Sequence, residues 1–117
     1  MDYNNDFKYD LALGQLGEGW LGHLLSSKTI EVKFDFGCYR TGNFYIEYES
    51  RGKKSGIATT EATHWAFIIE DIESIIIIET ERLKRLAREY YHNSVKGGDN
   101  NTSKMVLIPI VNLWKKN

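Results

Sequence analysis

Charged side chains alternate with apolar ones along two neighbouring stretches of this chain. In the segment 29–36, two acidic residues and a lysine alternate with apolar residues, and in the segment 44–49 two glutamates do the same. The charged residues are Glu31, Lys33, Asp35, Glu47 and Glu49. Side chains two positions apart on a β strand share a face. The pattern therefore predicts two strands, each with one apolar face and one charged face.

Four carboxylates and a lysine would meet if these strands formed a hairpin through the Gly-containing loop between them. Facing residues on paired strands lie about 5 Å apart, and like charges at that distance repel. A divalent cation held by the carboxylates would remove the repulsion, and such a site with a lysine beside it can hydrolyse phosphodiesters. The alternative is an amphipathic hairpin whose charged face is simply solvated.

Residues 10–26 predict an amphipathic helix before the hairpin, with Asp10 as its N-cap. Apolar residues at helical spacing predict a buried stripe; they are Leu13, Leu16, Trp20, Leu21, Leu24 and Leu25. Gly14 and Gly22 flank Glu18 at intervals of four, so Glu18 is expected to project from a groove against which a strand or a metal site can pack. The alternative is a single exposed glutamate on a helix weakened by glycine.

Together these segments resemble the PD-(D/E)xK nuclease superfamily. The resemblance rests on Gly14-x-x-Gly17-Glu18 in the helix, on the strand that reaches Asp35, and on Glu47-x-Glu49 in the next strand. The superfamily includes phage and archaeal Holliday-junction resolvases and many restriction endonucleases. It implies an α/β, restriction-endonuclease-like mixed sheet flanked by helices. It also implies an endonuclease that depends on Mg²⁺ or Mn²⁺, with DNA, branched DNA included, as substrate and a homodimer as the working unit.

Carried over onto this chain, the resemblance makes Glu18, Asp35 and Glu47 the metal ligands. Glu49 stands where the superfamily usually has lysine and is expected to support the metal site as a catalytic residue, while we expect Lys33 to reach the site from the adjacent strand. A lysine there could orient the attacking water or neutralise the phosphate.

A rival assignment starts from Ile30-Glu31-Val32-Lys33, which by itself matches the lysine-containing pair of the superfamily. It would make Glu31 a ligand, but no acidic residue between Glu18 and Glu31 can serve as the preceding aspartate. Under the preferred assignment Glu31 does not bind the metal itself; it contacts the residues that do, or forms a salt bridge with Lys33.

Composition sets bounds on the remaining classes. The chain has 117 residues, one cysteine and a net charge of −1, so we expect residues 1–117 to form a single nuclease-like domain without an internal disulfide. The N-terminus does not resemble a signal peptide and no apolar run is long enough to span a membrane. The cytoplasm of a host cell is the expected location, and the basic cluster Arg51, Lys53 and Lys54 is expected to contact DNA phosphates.

The rest of the chain predicts further elements of an α/β fold. They are a short helix at 59–65, a strand at 66–69, a doubly buried central strand at 74–79, a helix at 80–93, a polar loop at 94–104 and a last strand at 105–111. Two other functional classes stay open. One is a non-catalytic DNA-binding or assembly module on a nuclease-like fold, supported by the missing lysine after Glu47, and the other is an unrelated α/β interaction domain.

Overall fold

The computed structural model describes residues 3–115, and the surroundings of side chains from residue 11 onward. The helices and strands of this part are, in chain order, α1 (Tyr3–Ser27), β1 (Ile30–Phe34), α2 (Cys38–Thr41), β2 (Asn43–Ser50), β3 (Lys53–Lys54), β4 (His64–Ile69), β5 (Ser74–Glu79), α3 (Thr80–Glu89), β6 (Ser94–Gly97) and β7 (Ser103–Pro109). Short 3₁₀ turns lie at Gly56–Ala58, Glu70–Ile72, Asp99–Asn101 and Ile110–Trp114.

The strands form two sheets. The first is mixed and has the order β1-β4-β5, with β1 parallel to β4 and β4 antiparallel to β5. The second is antiparallel and has the order β3-β2-β7-β6. The fold is therefore a mixed α/β fold with two sheets, which confirms the predicted class.

The core lies where the two sheets and α3 meet. Alternate residues of β4 point inward, and Phe67 stacks on Phe44 of β2 with ring centroids 4.3 Å apart. The same cluster holds inward residues of β5 and β7 and the apolar side of α3; its largest members are Trp65, Phe44, Phe67, Ile46, Leu83, Leu86 and Ile108. Burial of these side chains holds β4 of the first sheet against β2 of the second, and β1 is positioned by its pairing with β4.

The predicted hairpin between β1 and β2 is wrong. Residues 38–41 form a helical turn instead of a tight hairpin loop, and each strand pairs elsewhere. Ile30–Phe34 runs parallel to His64–Ile68, and β2 pairs with β7 along its length. Inward residues of the segments 64–69 and 103–109, among them Phe67 and Ile108, belong to the core, so pairing with these segments buries apolar surface.

Helix α1 is longer than predicted, since it begins at Tyr3 and contains Asp10 within its length. Its predicted buried stripe is mostly wrong. Leu24 is 4% exposed, but the other members of the stripe, among them Leu16 at 70%, face solvent. The helix extends away from the sheets, and the described part of the chain measures 61 Å along its longest axis against 29 and 28 Å across.

Several later predictions also need correction. Strand β5 is at the edge of its sheet and not at the centre, and Ile75 and Ile77 are exposed. The predicted short helix at 59–65 is wrong, because β4 already begins at His64. The predicted polar loop at 94–104 contains β6, which pairs with β7.

The last helix and the last strand agree better with the sequence. Leu83, Leu86 and Ala87 of α3 are buried as expected, whereas Tyr91 is exposed. Strand β7 lies between β2 and β6, and Pro109 ends it, where its missing N–H costs no ladder hydrogen bond.

Candidate functional site

A cleft of about 310 Å³ opens where the C-terminal end of β1 approaches β2. Lys33 and Asp35 come from the β1 side, and Glu47 comes from β2. Strand β3 pairs only with Glu49 and Ser50, and the segment that follows it packs along the edge of β2 near Glu47. The remaining wall is aromatic and glycine-rich and consists of Phe34, Phe36, Gly37, Tyr45, Gly56, Trp65 and Phe67.

Asp35 is held in place by the backbone that follows it. Its Oδ1 accepts hydrogen bonds from the N–H groups of Gly37, at 3.1 Å, and Cys38, at 2.7 Å. This is an Asx-type turn, in which the carboxylate of Asp35 accepts from the backbone N–H groups that lead into α2, whose N-cap position is Gly37. Asp35 thus has a structural role, and its carboxylate is fixed at the cleft wall by two donors.

Lys33 lies over the indole of Trp65, with Nζ 5.4 Å from the ring centroid. Its Nζ is also 3.8 Å from Oε1 of Glu31, in a partly exposed pair. The cation is therefore attracted to an aromatic face beside the cleft and to one carboxylate. Trp65 itself is 2% exposed, and its Nε1–H has no hydrogen-bond partner among the described residues.

Glu47 and Glu49 do not share a face. Glu47 lies opposite Met105 and Glu49 lies opposite Lys104, although Met105 and Lys104 are consecutive. The extra residue, Tyr48, makes a β-bulge, which reverses the alternation of side chains beyond it. Glu47 consequently faces the cleft, while Glu49 faces the opposite side.

On that opposite side, Glu49 is engaged by a neighbouring strand. Its Oε2 lies 3.1 Å from Nζ of Lys104, and this hydrogen bond raises the pKa of Lys104. Tyr48 packs against Tyr91 of the same region, with ring centroids 5.3 Å apart, and their interaction raises the pKa of Tyr91. The structure thus places Glu49 in a surface cluster near α3 and outside the cleft.

The segment after β3 closes one side of the cleft against β2. The N–H of Ser55 donates to the carbonyl of Tyr48 at 3.1 Å. Gly56 has a φ of +53°, and a Cβ at this position would lie 2.2 Å from the carbonyl oxygen of Glu47. Glycine is required here for two reasons, the left-handed conformation and the close approach. Sequence reasoning missed this residue, although the Ser-Gly pair is a recognised turn signal.

Glu18 is separate from these groups. It is an exposed residue of α1, is not among the residues that line the cleft, and the flanking Gly14 and Gly22 have no atom within 4 Å of an added Cβ. None of the described residues occupies the groove that the glycines were expected to open. Across the described residues, no three side chains of the His, Cys, Asp and Glu types gather closely enough to hold a metal ion together.

The predicted DNA-binding residues lie in the sequence between Glu47 and Gly56, which both line the cleft. Arg51 has a φ of +52° in the turn between β2 and β3, and its N–H donates to the carbonyl of Thr102 at 2.8 Å. Lys53 and Lys54 form β3 and are exposed. Two residues further on, Gly56 lines the cleft, so the basic turn is tied to the cleft wall by a short segment.

Cys38 is buried directly behind Asp35. Burial and the neighbouring carboxylate of Asp35 raise the pKa of its thiol from 9.0 to about 11. A thiol needs deprotonation to act as a nucleophile, so Cys38 is a packing residue at neutral pH, in line with the absence of any nearby histidine partner in the sequence.

None of the protein families, curated proteins or solved structures compared with this chain matches it. The residues of the cleft must therefore carry the functional argument by themselves. Among the described helices, none is long and apolar enough to cross a membrane.

Proposed function

We propose that this protein is a metal-dependent endonuclease that hydrolyses phosphodiester bonds of DNA at the cleft between β1 and β2. One observation carries the proposal. Asp35, directly after β1, and Glu47 on β2 are twelve positions apart in the sequence, and they line the same cleft with Lys33 although β1 and β2 belong to different sheets. Two carboxylates and one amine in a cleft are the groups that bind a hard cation and a phosphate.

The donor set fits Mg²⁺ or Mn²⁺. Magnesium in nucleotide-processing sites usually keeps several waters and takes only one or two protein carboxylates, with the substrate phosphate supplying further oxygens. Asp35 and Glu47 would supply those carboxylates. When bound, the metal would lower the pKa of a water and stabilise charge that develops on the phosphate.

The protein's own groups contribute orientation and charge. The N–H groups of Gly37 and Cys38 fix the Asp35 carboxylate, and Glu47 lines the cleft from the regular part of β2 before the bulge at Tyr48. Lys33 sits above the Trp65 ring, where it can neutralise a phosphate oxygen or orient the attacking water. Arg51, Lys53 and Lys54 would hold the flanking phosphates.

Fewer residues match the ligand positions of the proposed superfamily than the sequence predicts. An aspartate directly after one strand and a carboxylate on the next strand along the chain support the proposed PD-(D/E)xK relationship, although the two strands belong to different sheets. Glu49 and Glu18 lie outside the cleft, so within one chain only Asp35 and Glu47 match the ligand positions of that pattern. Lys33 would then replace the lysine that the pattern places after Glu47.

The separation of Glu18 and Glu49 from the cleft also favours a second candidate, a DNA-binding or assembly module that has lost catalysis on the same fold. Metal binding distinguishes the two. The nuclease should gain thermal stability from Mn²⁺, because a ligand that prefers the folded state stabilises it by mass action. A degenerate module should show no change up to millimolar metal.

The direct test is Mg²⁺-dependent cleavage of a panel of four-way junction, flap, duplex and single-stranded DNA. Asp35→Asn and Glu47→Gln should abolish cleavage and the Mn²⁺ shift together, whereas Glu89→Gln, an exposed acid at the end of α3, should leave both unchanged. Cleavage that survives in both cleft variants would remove the proposal. DNA binding without metal binding or cleavage would favour the second candidate.

A further inference from the structure

A second cleft, of about 490 Å³, lies between α3 and the segment that follows β3. Ile57 and Val106 line it from the core side and are 5% and 1% exposed. Ala58 and Ala87 leave it open, because neither has a side chain beyond Cβ. We call this space the α3 cleft. Its volume falls within the usual range of small-molecule sites, about 300–1,000 Å³.

The α3 cleft is separate from the cleft that contains Asp35, since the two share no lining residue. Glu47 and Gly56 line the cleft of Asp35. The residues directly after them in the chain, Tyr48 and Ile57, line the α3 cleft. A ligand of the α3 cleft would therefore occupy a site of its own, on the other side of the same two segments.

Two cations and no carboxylate are found among the described residues that line the α3 cleft. The cations are Lys84 and Arg88, four positions apart on α3, and side chains at this spacing are neighbours on one face of a helix. Lys84 has a long ion pair, 3.7 Å, with the exposed Glu81, and Arg88 forms no ion pair with any described residue. Like charges at this spacing repel, so an anion between them would stabilise both.

Two tyrosines form a further wall of the α3 cleft. The rings of Tyr48 and Tyr91 have centroids 5.3 Å apart and are tilted by 53°. Tyr91 is 59% exposed, so its ring is accessible to a ligand. Aromatic rings pack well against flat apolar groups, and a phenol O–H can donate a hydrogen bond to an anion.

We propose that the α3 cleft binds a small organic anion, with a flat apolar body on the floor of the cleft and an acidic group between Lys84 and Arg88. Guanidinium and ammonium groups are the usual partners of carboxylates and phosphates. An inorganic anion would leave the apolar floor in water, and a neutral ligand would leave both cations unpaired. A carboxylate and a phosphate monoester with an aromatic body share the required chemistry.

The test is binding of 1-naphthoate to the whole chain, measured by titration calorimetry without metal or DNA. Naphthalene-1-carboxamide keeps the ring system without the charge, and acetate keeps the charge without the rings. We expect 1-naphthoate to bind at least ~10-fold more tightly than either, the scale of hydrogen bonds to charged groups. Adenosine monophosphate and adenosine give the same comparison for a phosphate monoester, and the tighter of the two anions identifies the acidic group that the site prefers.

Variants of the lining locate the bound anion. Arg88→Gln should weaken binding of 1-naphthoate about 10-fold, since it removes one charged donor. Arg85→Gln is the matched control, because Arg85 is an exposed arginine of the same helix that lines a different cleft, beside Trp20, and it should leave binding unchanged. Ala58→Trp should fill the α3 cleft and block binding while circular dichroism stays unchanged, because Ala58 is exposed.

Amide chemical shifts of the chain titrated with 1-naphthoate show which cleft is occupied. They should change around Ile57 and Ala87 and stay constant around Asp35. Shifts confined to the cleft of Asp35 would overturn the proposal, and so would absence of binding of both anions at millimolar concentration. Equal binding of 1-naphthoate and its carboxamide, or equal effects of Arg88→Gln and Arg85→Gln, would overturn it as well. Neither metal nor DNA enters these measurements, so their outcome is independent of the proposed nuclease activity.

Discussion

Glu47 and Glu49 lie on opposite faces of β2, because the bulge at Tyr48 reverses the alternation between them. Only Glu47 lines the cleft with Asp35, and Glu49 pairs with Lys104 at 3.1 Å. Two carboxylates that look equivalent in the sequence therefore have different surroundings, and their variants should behave differently.

Glu47→Gln is expected to weaken metal binding and to abolish cleavage together, since it removes a charged oxygen donor from the cleft. Glu49→Gln should change stability little, because an exposed ion pair contributes little, and should retain cleavage. The measurements are Mn²⁺ titration calorimetry and cleavage of junction and duplex DNA. Glu31→Gln belongs in the same series, and a larger loss there than in Glu47→Gln would favour the rival assignment of the site.

The positions of the strands and of the buried helix residues could be predicted from the sequence, but the partners with which the strands pair could not. Alternation in the segments 29–36 and 44–49 gave two strands close to their observed bounds, and helical spacing gave the buried residues Leu83 and Leu86 of α3. Both rely on interactions between residues a few positions apart. Strand partners depend on segments far along the chain, and the bulge at Tyr48 exists only in the register with Met105 and Lys104.

Two further strands, β6 and β5, were predicted incorrectly because their local sequence does not show how they pair or what covers them. The polar segment 94–104 contains β6 because β7 offers it a pairing edge, and no periodicity of its own signals a strand. The apolar run 75–78 looked doubly buried, yet β5 ends its sheet and exposes Ile75 and Ile77. A continuous β-branched run predicts a strand but not what covers its two faces.

Asp35 should show separable structural and functional roles. Asp35→Ala removes the acceptor of two backbone hydrogen bonds and should destabilise the fold by about 1 kcal/mol, the usual scale for a lost hydrogen bond. Asp35→Asn keeps an oxygen for the N–H groups of Gly37 and Cys38 and should unfold near the wild-type urea concentration, yet lose metal binding. Equal stability of the two variants would show that these hydrogen bonds contribute little. Full metal binding in Asp35→Asn would place the cation elsewhere.

Gly56→Ala should destabilise the protein and displace Glu47, because the new side chain would clash with the Glu47 backbone. The new methyl would meet the Glu47 carbonyl and would also force a side chain into a positive φ, so we expect a loss of about 2–4 kcal/mol in the free energy of unfolding. Gly52→Ala is the matched control, because Gly52 has a φ of +77° with open space around it and should lose only about 1 kcal/mol. Urea unfolding of both proteins gives the difference, and equal losses would mean that the contact with Glu47 does not constrain the fold.

Cys38 should make the fold sensitive to alkaline pH. Its pKa is 9.0 when ordinary and about 11 when buried here, so between these values the folded state retains a proton that the unfolded state has lost. Stability from this group is complete below pH 9 and falls as pH rises toward 11. Thermal melting at several pH values should therefore decline more steeply for the wild type than for Cys38→Ala. The comparison cancels the titration of tyrosines and lysines, and parallel curves would show that the thiol is not desolvated.

Lys33 is expected to act on the reaction and not on the metal. Its Nζ lies over Trp65 and near Glu31, and as a cation it cannot bind a metal ion directly at neutral pH. Lys33→Ala should therefore leave Mn²⁺ affinity unchanged or slightly increased, because a competing positive charge is removed. The cleavage rate should fall about 10²-fold or more, the range for loss of a general acid–base group. Lys96→Ala, an exposed lysine on β6, controls for a general loss of positive charge. Single-turnover rates measured beside metal titrations decide the role. If Lys33→Ala and Lys96→Ala cleave at the same rate, the lysine of the cleft is only a solvated neighbour of Trp65.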